Sequence, residues 1–263
     1  MDARFTPAHR GGEGPPLVLL HGFTGSWRIW DLVLGALERE HEVLAPTLPG
    51  HAGGPPLGPL SHDTVPDAIE RVMDEAGWET AHIVGNSLGG YVALQLAARG
   101  RARSLVALAP AGGWVDDSYQ EMLRDYASMH ELAQAAAPHA DAIAATPEGR
   151  HQATEWITSH GEDLSPQLVA DIIRATANCD GAPTMIDYAL REPWTLDAER
   201  IDVPTRIIWG TDDRILPWPS AAVRYRRDLF PHADWVELDG VGHCPQVDVP
   251  LETAQLILGF TDT

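Results

Sequence analysis

The chain of 263 residues contains no lysine, so its 18 basic residues are all arginine. That absence excludes chemistry anchored on a lysine amine, such as Schiff-base and pyridoxal phosphate enzymes, and the lysine-bearing phosphate loop. Positive charge is scarce altogether, because 38 acidic residues against 18 arginines leave a net charge of −20. A surface of that sign repels phosphate backbones and anionic lipid headgroups, which argues against nucleic acid and membranes as partners. Only two cysteines occur, Cys179 and Cys244. They cannot form a disulfide framework, and a reducing cytoplasm is the expected compartment. No run approaches the roughly 18 apolar residues of a membrane span, and "MDARFTPAHRGGEGPP" lacks the apolar stretch of a secretion signal. The sequence also lacks H-E-x-x-H and paired-cysteine patterns, so no metal is expected. No G-x-G-x-x-G follows the first strand, and no cofactor of the nicotinamide kind is expected either.

What is present is the composition of a folded protein, 44% hydrophobic and 21% charged, long enough for one domain with an elaboration. Short apolar runs recur at 17–22, 41–47, 81–86, 104–110, 205–210 and 234–239. Amphipathic spacing between or after them predicts helices over 30–40, 65–76, 88–99, 221–229 and 251–260. Continuous apolar strands alternating with helices predict an α/β fold with a mainly parallel, twisted sheet covered on both faces. The alternation fails over 114–196, where four successive segments carry helical spacing and Pro, Ser or Gly marks their starts. This predicts a core formed by 1–113 and 197–263 with a helical insertion at 114–196.

The junction at 85–89 reads "GNSLG", a G-x-S-x-G motif between an apolar run and a helix. A sharp turn there lifts the hydroxyl of Ser87 above the sheet, and the glycines relieve the crowding. A helix N-terminus aimed at that point favours negative charge on oxygen. A serine hydroxyl is a weak nucleophile and needs a base that is itself oriented by a carboxylate. "WGTDDRILP" places Asp213, with Asp212 as its rival, on the loop after a late strand. "LDGVGHCPQ" places His243 on the loop after the last one. Catalytic groups of open α/β sheets gather at the carboxyl ends of strands, so the three can converge.

The order Ser, Asp, His is that of the α/β-hydrolase fold. Over nearly its whole length the chain resembles that superfamily, with "LLHGFTGS", "LPGHAGG", "GNSLGG", "WGTDDRILP" and "GVGHCP" standing where the family has its motifs. The resemblance implies a catalytic triad of Ser87, Asp213 and His243, with the backbone N–H groups of Phe23 and Leu88 as oxyanion hole. It implies structural roles for His21 and His51, and packing for Cys244. The superfamily's dehalogenases and epoxide hydrolases carry an aspartate at the elbow, where this chain has Ser87. The implied activity is hydrolysis of a carboxylic ester of a small-molecule substrate. Alternatives on the same fold are a meta-cleavage C–C hydrolase, a lyase like the menaquinone-pathway synthase, and a non-catalytic binding protein. The first tends to follow its histidine with tryptophan where Cys244 stands; the second usually carries an arginine at the position of Tyr91.

At 114–196 the resemblance implies a cap over the active site. Its large apolar residues, Trp114, Met122, Met129, Trp156, Met185 and Trp194, suit a small to medium apolar or aromatic acyl group. Trp114, Met122, Trp156 and Trp194 are the expected substrate contacts. Arg124, Arg150, Arg174 and Arg191 leave open an acidic substrate held by a bidentate arginine.

Overall fold

A computed structural model describes residues 5–117 and 119–261. Seven strands form one sheet: β1 (Ala8–Gly11), β2 (Pro16–Leu20), β3 (Glu42–Pro46), β4 (Ala81–Asn86), β5 (Ala102–Leu108), β6 (Thr205–Gly210) and β7 (Asp234–Leu238). Their order is β1-β3-β2-β4-β5-β6-β7, and every pairing is parallel except that of β1 with β3. Six of the seven fall on the apolar runs of the sequence. The seventh, β1, has no apolar run; its four residues AHRG are covered only in part and pair antiparallel at the sheet edge.

Both faces of the sheet are buried, and β2 shows how. Leu17 and Leu19 join one apolar cluster while Val18 and Leu20 join the other, as the two-residue period of a strand requires. Helices α1 (Asp31–Leu37) and α10 (Pro250–Thr261) cover the first face, with α9 (Pro245–Asp248) beside them. Helices α2 (Thr64–Glu75) and α3 (Leu88–Ala98) cover the second. Every residue of α3 from Gly89 to Ala98 is buried, which explains why that helix shows almost no polar face.

Between β5 and β6 the chain is helical, in α4 (Tyr119–Ala136), α5 (Ala140–Ala144), α6 (Pro147–Thr154), α7 (Pro166–Ala177) and α8 (Ala182–Arg191). Thr146 and Ser165 cap α6 and α7 through their hydroxyls, at 3.0 and 3.2 Å, and proline occupies the first turn of each. Among the described residues, most of the buried apolar side chains of these helices join the two clusters that cover the sheet. Leu123, Tyr126, Met185 and Ile186 belong to the cluster on one face of the sheet, and Ala140, Ala144, Leu168 and Val169 to that on the other.

One expected helix takes another form. Over 221–229 the chain makes a short 3₁₀ turn at Ser220–Ala222 and a π-helical turn at Tyr225–Leu229. The wider π turn is accompanied by a wholly buried Tyr225, whose hydroxyl donates to the carbonyl of Ala111. Both cysteines are buried and unpaired. Among the described residues no helix is long and apolar enough to cross a membrane, and no three metal-ligating side chains come together.

Candidate active site

The site lies at the carboxyl end of the sheet, where the loops after β2, β4, β6 and β7 meet. Ser87 is the turn between β4 and α3, with φ 56° and ψ −118°, a conformation that costs a non-glycine residue of order 1–3 kcal/mol. Three hydrogen bonds hold it. Its N–H donates to Leu108 O at 2.9 Å, and its carbonyl accepts from Tyr91 N at 3.0 Å and Ala111 N at 3.1 Å. The flanking glycines are required by close backbone approach. A Cβ on Gly85 would stand 2.1 Å from the carbonyl oxygen of Gly89, and one on Gly89 2.2 Å from that of Leu20.

His243 and Asp213 meet across the loops after β7 and β6, with Nδ1 of the imidazole 2.7 Å from Oδ2 of the carboxylate. Both are buried. The other carboxylate oxygen, Oδ1, accepts the N–H groups of Ile215 at 2.9 Å and Leu216 at 2.8 Å. Asp213 thus accepts on both oxygens, as a buried carboxylate must. With Nδ1 donating to Asp213, Nε2 of His243 is the free nitrogen, buried and without a hydrogen-bond partner. Its rival Asp212 is exposed on the same loop. Ser87 and His243 line one small cavity together.

Asn86, inside the quoted motif but given no task by the sequence, ties this loop layer together. Its amide donates to His243 O at 3.0 Å and Leu108 O at 3.1 Å, and its Oδ1 accepts from Cys244 Sγ at 3.2 Å and Gln246 Nε2 at 3.1 Å. All of its hydrogen-bonding atoms are engaged, and they fix the backbone of His243 to the elbow. Asp248, equally unforeseen, accepts the N–H of Gly242 at 2.6 Å and that of Ser159 at 2.9 Å. It therefore joins the histidine loop to the helical segment. Beyond the presence of an Asn directly before the elbow serine, the sequence carried no signal for the first, and it carried none for the second.

His21 and His51 are buried in the loops after β2 and β3. Nδ1 of His21 donates to Gly22 O at 2.8 Å and Nε2 accepts Leu48 N–H at 2.9 Å, which holds the two loops together. Burial pushes His21 well below its usual value, with neighbouring His51 adding to the effect. Burial likewise lowers His51 to about 4. Cys244 is buried beside His243, and burial, assisted by Asp213 and Asp248, pushes its thiol well up, away from the reactive thiolate.

Phe23 and Leu88 share a cavity with Ser87. Both line its larger cavity, and Leu88 N–H belongs to the first turn of α3, whose donors have no acceptor within the helix. Thr24, next to Phe23, has φ 59°.

Two cavities meet at Ser87. The larger, of about 120 Å³, is lined almost wholly by apolar groups, among them Leu88, Tyr91, Met122, Leu123, Met185 and Trp194. The smaller, of about 70 Å³, contains His243 with Thr24, Ser26, Arg28, Asp171 and Thr176. Phe23 and Tyr126 border both, in edge-to-face contact at 5.1 Å. Of the four expected substrate contacts, Met122 and Trp194 therefore reach the serine cavity. Trp114 and Trp156 do not; they line a third cavity of about 260 Å³ that contains neither Ser87 nor His243. Trp114 stacks on Tyr119 at 5.1 Å, and Trp156 is 40% exposed.

The four arginines of the helical segment line none of these three cavities. Arg174 pairs with Asp141 at 2.6 Å and Arg191 with Asp187 at 2.6 Å. Arg150 donates to the carbonyls of Glu162 and Ala144, and Arg124 to Gln120. The bidentate arginine clamp that the sequence left open does not form from them.

With this geometry in view, the comparisons with known proteins agree on the class. A family model for the α/β hydrolase fold matches residues 15–250, and the chain belongs to that family. It is 36% identical over 207 residues to the epoxide hydrolase EphH of Mycobacterium tuberculosis, covering 77% of this chain and 96% of that one. It is 28% identical over 256 residues to RutD of Pseudomonas savastanoi pv. phaseolicola, a protein named for carbamate hydrolysis, covering 94% of each. Its fold matches that of the enol-lactonase from Burkholderia xenovorans LB400 with a TM-score of 0.77 at 20% identity, over 97% of this chain and 96% of that one. The protein is thus an α/β-fold hydrolase.

Proposed function

We propose that the protein is a carboxylic ester hydrolase in which Ser87 is the nucleophile, His243 the base and Asp213 the group that orients the imidazole. The reading rests above all on the buried contact between Asp213 and Nδ1 of His243, which leaves Nε2 as a free proton acceptor in the cavity that also holds Ser87. Ser87 Oγ attacks the ester carbonyl as Nε2 takes its proton. The oxyanion forms between the N–H groups of Phe23 and Leu88, and His243 returns the proton to the departing alcohol. Water then cleaves the acyl-enzyme by the same route. The apolar larger cavity takes the acyl group, and the smaller polar one the alcohol and the attacking water. Helices α4 to α8 act as the cap that walls these cavities off.

The serine also decides against transferring the activity named for EphH. Attack by a hydroxyl on an epoxide gives an ether, which water cannot cleave by an acyl route, whereas a carboxylate would give a hydrolysable ester. A carbamate, by contrast, presents a carbonyl to the same machinery as an ester. Labelling with a fluorophosphonate followed by peptide mapping tests the nucleophile, and the expected modification is at Ser87 alone. Nitrophenyl butyrate, a ring-fission dienone and a simple epoxide, assayed in parallel, test the reaction, and only the first is expected to turn over. Preferential turnover of the dienone would replace the ester reading with C–C hydrolysis, and labelling without turnover of any substrate would favour a binding role.

A further inference from the structure

The largest of the three cavities lies outside the proposed reaction centre, yet it is separated from it by very little. Met122, Tyr126, Ile215 and Leu216 line both the third cavity and the apolar cavity of Ser87, so one layer of side chains divides them. Two of these residues come from α4, where positions four apart share a face. The other two come from the loop after β6, where their N–H groups are bonded to Oδ1 of Asp213. The loop side of the partition is therefore fixed by the same carboxylate that holds His243. On the helix side, Tyr126 is buried and set edge-on against Phe23. Met122 is only half-buried, and its unbranched thioether chain can rotate aside at small cost.

Apolar surface continues across this partition. Trp194 belongs to the serine cavity and Trp114 to the far one, and the two rings meet edge-to-face at 5.1 Å. Beyond Trp114 lie Tyr119, Met129 and Trp156, while the polar residues Glu121, Asp125, Arg214 and Ser220 are exposed. A chamber with aromatic and thioether walls and an exposed polar fringe suits the uncharged tail of a ligand whose reacting end is elsewhere.

We infer that the third cavity is a second acyl subsite, which receives the distal part of alkyl or arylalkyl chains too long for the serine cavity, and that Met122 sets the length at which tails pass into it. This rests on the ester reading above. The test is kcat/KM for nitrophenyl esters from acetate to dodecanoate in the wild type and in Met122→Ala, Met122→Trp and Trp156→Ala. The quantity read is the ratio of dodecanoate to butyrate, in which a general loss of activity or of folded protein cancels. Each methylene newly buried contributes about fourfold. Opening the partition in Met122→Ala should raise the ratio about tenfold or more. Blocking it in Met122→Trp should lower the ratio by a similar factor, and removing the far wall in Trp156→Ala should lower it roughly fivefold. Ratios within twofold of wild type in all three, with butyrate still turned over, would overturn the subsite. If no ester is turned over, the ester reading fails by itself. Calorimetric binding of dodecanoate and butyrate to the same variants then decides the subsite by the same ratio of affinities.

Discussion

The loop layer above the sheet and the helices that roof it are built by different rules. In the loop layer Ser87, Asn86, Asp213 and His243 are buried, and the hydrogen-bonding atoms of Asn86 and both Asp213 oxygens are engaged. Around them Gly85 and Gly89 leave no space for a single methyl group. In the roof, what faces Ser87 is Met122, Leu123, Tyr126 and Met185, which contribute volume and apolar surface. The proposed reactive positions are therefore set by backbone constraints that allow few alternatives, whereas the walls are set by volumes that many sequences can supply.

The comparison is broken most severely at the proposed nucleophile. Ser87→Ala should lower kcat by about 10⁶ while the circular dichroism and melting temperature stay close to those of the wild type, since main-chain hydrogen bonds hold the turn. Activity within a hundredfold of wild type in that variant would remove the serine from the chemistry. Next comes the carboxylate. Asp213→Asn should cost about 10⁴ in kcat by holding the wrong tautomer of His243, and Asp212→Asn less than about twofold, because Asp212 is exposed. The reverse order would move the orienting group by one residue.

Stability sharpens the contrast. Gly89→Ala in the loop layer should cost about 3 kcal/mol or more in urea denaturation, because its Cβ meets backbone rather than a flexible side chain. Met185→Leu in the roof, a swap of similar volume, should cost less than about 1.5 kcal/mol. Equal losses would mean that the roof is as tightly specified as the elbow.

A stability effect of a different origin is expected in acid. His51 has its pKa lowered from 6.5 to about 4 in the fold, so the unfolded chain binds a proton that the native chain refuses. Stability is then unaffected above about pH 6.5 and falls as the pH drops from there toward 4, by up to roughly 3 kcal/mol at the lower end. His21 adds in the same direction. Urea midpoints measured from pH 7 to pH 4.5 should therefore fall less steeply in His51→Leu than in the wild type. Identical slopes would show that the acid response comes from elsewhere.

How much of this was legible in the sequence follows the same division. The elbow could be read because a turn at φ 56° between a strand and a helix confines its neighbours to glycine within five residues. Asp213 and His243 were legible as polar residues just past apolar strands, because the carboxyl ends of parallel strands lie along one edge of the sheet. Asn86 was visible but mute, since its four hydrogen bonds run to residues up to 160 positions away. β1 escaped because an edge strand of four residues needs no apolar run. Of the four apolar residues expected at the substrate, Met122 and Trp194 line the cavity of Ser87, whereas Trp114 and Trp156 line the third cavity. Helical spacing says which face is apolar and not which cavity that face will meet.

The helices of the roof draw their apolar residues from the same two clusters that cover the sheet, with Leu123 and Met185 on one side and Leu168 and Val169 on the other. Lifting these helices as a body would expose apolar residues of both clusters to water, at about 25 cal/mol per Å² of apolar area. Rearrangement of individual side chains at the cavity walls is the less costly way to open the site. Roof and sheet should melt in a single cooperative transition.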